Sequence, residues 1–134
     1  MKDTAELCRG LLRKARSDRI AMEASLGAQA FDAACFHAQQ AIEKCLKAFL
    51  AYRQVAFPYT HNLTKLIEIG AGIDAAFLSL LPTVAPLTPY AVELRYDDSF
   101  WPTLQVAEEA RASALAVCQF VLDRLPPDVR KSAE

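Results

Sequence analysis

The stretch Phe36-His37-Ala38-Gln39-Gln40-Ala41-Ile42-Glu43-Lys44-Cys45-Leu46-Lys47-Ala48-Phe49-Leu50 decides the fold. At roughly 100° per residue, Phe31, Ala34, Cys35, Ala38, Ala41, Ile42, Cys45, Phe49 and Tyr52 gather on one broad face. That is the core seam of a long helix. His37, Gln40, Lys44 and Lys47 form a second stripe, with His37 nearest the seam. A histidine, an amide and two ammonium groups pointing one way suit an anion or a nucleotide. They equally suit the wet side of an amphipathic helix. Exposed lysines are ordinary, and Glu43 with Lys47 makes a common i,i+4 pair.

Helical spacing continues on both sides. Asp3 and Glu6 resemble a capping pair at the start of a first helix, which uses Leu7, Cys8, Leu11, Leu12, Ala15 and Met22 inward and frays near Gly27. Arg9, Arg13 and Arg16 share its opposite face. The second helix runs from about Gln29 to Gln54, and Pro58 ends it. Thr60-His61-Asn62 starts a shorter third helix with Leu63, Leu66, Ile67 and Ile69 inward, weakened by Gly70 and Gly72. Asp74 to Leu81 adds one or two turns before Pro82. Thr88-Pro89 reads as a further start, with Tyr90, Ala91 and Leu94 inward and Arg95 near the end of the helix. Residues 97–102 form an irregular link whose aromatics seal one end of the bundle. The last helix runs from about Thr103 to Leu125 and stops at Pro126-Pro127. No segment alternates with period two. The fold class is therefore all-α: an antiparallel up-and-down four-helix bundle with a short additional helix over residues 1–126, then a charged, disordered tail over 127–134.

Composition narrows the function. The 134 residues are 53% apolar and carry a net charge of −1, so no global positive field draws the chain onto duplex nucleic acid. Cys8, Cys35, Cys45 and Cys118 show no CxxC spacing and sit among apolar neighbours as small buried residues. Cys35 and Cys45 lie on one helix, roughly 15 Å apart, too far to bond to each other. The charged N-terminus shows no signal peptide, and no run of about 18 apolar residues could span a bilayer. A reduced, cytoplasmic protein is the expectation. Glycine-rich phosphate loops, GxSxG and ExxH pairs do not occur. Two distant histidines and these cysteines make a poor metal site, so neither metal nor cofactor is expected.

Three stretches together resemble the HEPN family (higher eukaryotes and prokaryotes nucleotide-binding): Ala33 to Leu50, Thr60-His61-Asn62-Leu63, and Leu87-Thr88-Pro89-Tyr90-Ala91-Val92-Glu93-Leu94-Arg95-Tyr96-Asp97-Asp98. The resemblance implies a helical bundle that usually forms a homodimer. It also implies a nucleotide-binding role and a gene often placed beside a minimal nucleotidyltransferase. Some branches are metal-independent ribonuclease toxins whose arginine is followed four to six positions later by a histidine. Here Arg95 holds the arginine position, but no histidine follows it, and Asp97 stands where the family commonly has proline.

The missing histidine removes the usual acid–base partner and argues against catalysis. The ligand-binding candidates are His37, Gln40, Lys44, His61, Arg95 and Tyr96, with Asp97 and Asp98 placed to orient the guanidinium. The reading is a nucleotide- or RNA-binding homodimer that partners a minimal nucleotidyltransferase in a toxin–antitoxin-like pair. One alternative is a ribonuclease toxin in which His37 or His61 replaces the missing group. The other is a non-catalytic helical dimerisation or interaction protein, using the small face of Ala112, Ala116 and Gln119.

Overall fold

A computed structural model describes residues 3–134, and all the regular structure among them is helical. Helix α1 spans Thr4–Gly27, where the Asp3 carboxylate caps the start by accepting from the Glu6 amide at 2.7 Å. Helix α2 spans Phe31–Tyr52. The short link between them turns the chain back, so α1 and α2 pair along their lengths as an antiparallel hairpin.

Both long helices end in the same way. Ala30 N–H reaches Ser25 O at 2.8 Å and Val55 N–H reaches Leu50 O at 2.9 Å, each wrapping around a left-handed residue. Those residues are Gln29, with φ 64°, and Gln54, with φ 58°. The bounds expected for the second helix, Gln29 and Gln54, are thus the left-handed residues just beyond the ends of α1 and α2. Glycine usually holds that position; here glutamine signals it weakly.

Helix α2 is the centre of the molecule. Between Ala38 and Ala51 only Gln40 and Lys44 escape full burial, because α1, the helices at 63–71 and 104–122 and the 85–91 segment all pack against it. Of the expected outward stripe, Lys47 is buried and His37, Gln40 and Lys44 are half-buried, while Gln39 and Glu43 beside it are buried as well.

Helix α3 spans Leu63–Ala71, capped by Asn62, whose side chain accepts from the Lys65 amide at 3.2 Å. No continuous fourth helix follows. The chain runs through a 3-10 segment at Ala75–Leu80, helix α4 at Leu81–Val84 and a second 3-10 segment at Ala85–Ala91. Pro82, Pro86 and Pro89 recur every three or four residues, each removing a backbone donor, so tight short turns replace a long helix. Thr88 does not cap a helix start, and Pro89 lies inside the second 3-10 segment. Arg95 consequently sits in the turn that follows, not at the end of an α-helix. Phe100 packs on the core beside Tyr90, at 5.8 Å between ring centroids, whereas Trp101 is exposed. Of the two aromatics expected as a seal, only Phe100 faces inward.

Helix α5 spans Leu104–Leu122, capped by Thr103, and packs mainly on α2. The last residues, expected as a charged, disordered tail, form short helical turns that contact α1. Pro127 opens a short helix α6, Pro127–Arg130, followed by a 3-10 turn at Lys131–Ala133. Proline suits the first position of a helix, and Val129 and Ala133 are buried against the body. No helix among the described residues is long and apolar enough to cross a membrane.

Candidate functional site

The apolar stripe of α1 runs Cys8, Leu12, Ala15 and Met22, and Asp18 falls on the same stripe. Its carboxylate is thereby carried into the interface with α2. There Oδ1 meets His37 Nδ1 at 2.9 Å and Oδ2 accepts from Lys44 Nζ at 2.5 Å. A carboxylate taken from water is tolerated only with charged or hydrogen-bonding partners, and Asp18 has both. In the tautomer whose Nδ1–H donates to this carboxylate, Nε2 is left as the free acceptor.

A second carboxylate repeats the pattern one turn of helix away. Glu43 accepts from Lys47 Nζ at 3.1 Å through Oε2 and pairs with His61 Nδ1 at 2.9 Å through Oε1. Gln39 donates to Glu43 Oε1 at 3.3 Å and to the His61 carbonyl at 3.2 Å, which ties the loop before α3 to α2. The two clusters are joined. Lys44 donates to Gln40 Oε1 at 3.3 Å, and Gln40 donates to Gln39 Oε1 at 2.6 Å. One unbroken polar chain thus runs from His37 through Asp18, Lys44, Gln40, Gln39 and Glu43 to His61. Such a network, once its members are satisfied, fixes side-chain positions within a core.

His37 opens onto a cleft of about 410 Å³ lined by Asp32, Ala33, Phe36, His37, Tyr90, Leu94, Arg95 and Phe100. Arg95 lies over the Phe36 ring at 4.3 Å from its centroid and beside Tyr96 at 5.5 Å. A guanidinium over an aromatic face is held by the ring quadrupole while its N–H groups stay available. No carboxylate among the described residues pairs with Arg95. The Asp97 carboxylate bonds to Ser99, and neither Asp97 nor Asp98 forms an ion pair with Arg95, so neither orients it as expected. Among the described residues Asp32 is the one carboxylate lining the cleft.

The six candidate residues therefore divide. His37 and Arg95 share the cleft. Tyr96 is exposed at its margin. Gln40 and Lys44 stand behind His37 in the polar chain, with the Lys44 charge already engaged by Asp18. His61 lines a separate groove of about 520 Å³ with Asn62, Thr64, Thr88 and Glu93. Sequence reasoning missed Asp18, Gln39 and Glu43. The signal for Asp18 was present: a carboxylate at the i+3 position from Ala15 and four before Met22 lies on an apolar stripe. Glu43 gave no such signal, because its pairing with Lys47 looks the same on a wet surface.

Among the described residues no group of three or more histidine, cysteine or carboxylate side chains is arranged to hold a metal ion. What the cleft offers is an unneutralised cation, an oriented imidazole and aromatic walls. No curated protein and no solved structure matches the chain. The model of the HEPN domain family matches residues 8–125, which takes in most of α1 and all of α2, the cleft and α5, and the chain belongs to that family.

Proposed function

We propose that the cleft between α2 and the 90–100 segment binds a nucleotide or the end of an RNA strand, and that the chain acts as a homodimeric binding partner of a minimal nucleotidyltransferase. The observation that carries this reading is the placement of Arg95, stacked on Phe36 and in no ion pair among the described residues, with His37 in one aromatic-lined cleft. Arginine N–H groups suit phosphate oxygens, and Phe36, Tyr90 and Phe100 offer surfaces for a base. Gln40 and Lys44 serve as positioning residues, since they hold Asp18 and through it His37. The exposed strip of Ala112, Leu115, Ala116 and Gln119 on α5 supports close packing of a second copy.

Titration of the purified protein with mononucleotides and short 5′-phosphorylated RNAs tests the binding. Saturable binding is expected in the wild type, weakened at least tenfold in Arg95→Gln and in His37→Ala. Absence of binding at millimolar ligand, with or without the nucleotidyltransferase, overturns it. Light scattering on the eluted protein reads the dimer.

A second reading rests on the Asp18–His37 contact. An imidazole held at Nδ1 by a carboxylate presents Nε2 as a general base, as a ribonuclease requires. RNA cleavage lost in Arg95→Ala and His37→Ala but kept in His61→Ala would favour it. Cleavage surviving all three changes would point to a contaminant.

A further inference from the structure

All four cysteines are buried, but they are not equivalent. Cys45 on α2 faces Cys118 on α5, and the two Sγ atoms stand 2.8 Å apart. An S–S bond is about 2.05 Å long, so only a small approach separates the two thiols from a covalent link. Cys118 also reaches the Ala41 carbonyl at 3.8 Å.

The neighbour that distinguishes this pair is Arg19. Its Nη2 donates to the Ala133 carbonyl in the C-terminal turn at 2.5 Å, whereas its Nη1 is buried with no hydrogen-bond partner among the described residues. The same guanidinium stands beside Cys118. A buried cationic N–H with no acceptor is costly, and the charge of this guanidinium favours the ionised form of Cys118. Asp18, the carboxylate near this thiol, is already held by His37 and Lys44. The hydrogen bond from Cys45, helped by the Arg19 charge, holds the Cys118 thiol below its ordinary value. The contact with Cys118 and complete burial push Cys45 well up. Cys8 and Cys35 differ, since burial pushes both up to about 11.

We propose that Cys45 and Cys118 form a reversible dithiol–disulfide pair that links α2 to α5, with a hydroperoxide as oxidant. The Cys118 thiolate attacks the peroxide O–O bond. A sulfur–oxygen bond forms, the O–O bond breaks, and the leaving alkoxide or hydroxide takes a proton. The Cys45 sulfur then attacks the Cys118 sulfur, and the hydroxyl departs as water with the Cys45 proton. Two thiols and one hydrogen peroxide thus give one disulfide and two waters. A small dithiol restores the pair by exchange. Cys45 follows Lys44 directly, so the link would fasten the helix that carries the polar chain.

Treating the purified full chain with hydrogen peroxide, then alkylating it under denaturing conditions, tests the assignment by intact mass. Two of the four thiols are expected to resist alkylation, in a monomeric chain whose peptide map joins Cys45 to Cys118. Dithiothreitol should restore both. Protection should vanish in Cys45→Ala and in Cys118→Ala and persist in Cys8→Ala and Cys35→Ala. Arg19→Gln should slow the oxidation several-fold. Alkylation of all four thiols in the oxidised wild type, or a link through Cys8 or Cys35, overturns the proposal whether or not every variant folds.

Discussion

Asp18 on α1 and Lys44 on α2, twenty-six residues apart in sequence, share a hydrogen bond of 2.5 Å in an interface that is largely apolar apart from these two and His37. Removing only the carboxylate leaves a lysine three-quarters enclosed without its counter-charge. A fully buried pair broken on one side costs about 3–5 kcal/mol; the partial exposure of Lys44 and His37 lowers this. Asp18→Ala is expected to destabilise the fold by about 2 kcal/mol, read by urea unfolding. Adding Lys44→Met should recover part of the loss. A double variant less stable than the sum of the singles would contradict this account.

Glu43 and Lys47 look in the sequence like a surface pair worth about 0.3–0.5 kcal/mol. Their side chains are only 6% and 11% exposed, and Glu43 also holds His61. Glu43→Ala should cost about 3 kcal/mol and loosen the loop before α3. Hydrogen exchange of the His61–Leu63 amides would show that loosening, and unchanged exchange would refute it.

The glycines at 27 and 70 should respond oppositely to alanine. A helical Gly→Ala change usually stabilises by roughly 0.5–1 kcal/mol. At Gly27 an added Cβ meets nothing within 4 Å, so a gain is expected. At Gly70 the same atom would lie 2.7 Å from Phe77 Cδ2, in a ring packed between Phe49 and Phe120. Gly70→Ala should lower the melting temperature. A rise equal to that of Gly27→Ala would show that Phe77 has room to yield.

Gln29 and Gln54 hold left-handed backbone that costs a side-chain-bearing residue roughly 1 kcal/mol. Glycine at either position keeps the terminal hydrogen bonds and removes that cost. Gln29→Gly and Gln54→Gly should each stabilise by about 0.5 kcal/mol after the larger chain entropy of glycine is counted. Additive shifts in the urea midpoint are the measure.

Burial pushes the thiols of Cys8 and Cys35 from 9.0 up to about 11, so each stays neutral in the fold where the unfolded chain ionises. Their contribution is whole below pH 9 and is lost as the pH rises through about 11. Stability should fall across that window, and Cys8→Ala/Cys35→Ala should flatten the decline. An unchanged slope would assign the alkaline loss to other groups.

Long periodic segments were legible from the residues alone. The seam of Cys8, Leu12, Ala15 and Met22 and that of Ala34, Ala38, Ala41 and Cys45 are both buried as their spacing implies. The region from Asp74 to Arg95 was not, because prolines at the spacing of a helical turn can begin a helix or forbid one. The cleft was half legible: His37 and Arg95 were named, but not the carboxylate behind them. A polar residue on an apolar stripe looks like an error in the pattern until the facing helix shows what it meets. Lys44 and Lys47 misled for the converse reason, since ammonium groups on one stripe imply water when the neighbouring carboxylates are out of view.

The carboxylate of Asp18 also acts as a gauge of alignment. The rest of the α1 seam consists of cysteine, leucine, alanine and methionine, which would tolerate sliding by one turn, about 5.4 Å. Such a slip would bring Lys14 or Met22 opposite Lys44, setting two ammonium groups together or stranding one against a thioether. Only one setting of the α1–α2 hairpin satisfies Lys44 and His37 at once. A single acidic residue thereby supplies the notch that the greasy seam lacks, and the cleft inherits its shape from that notch.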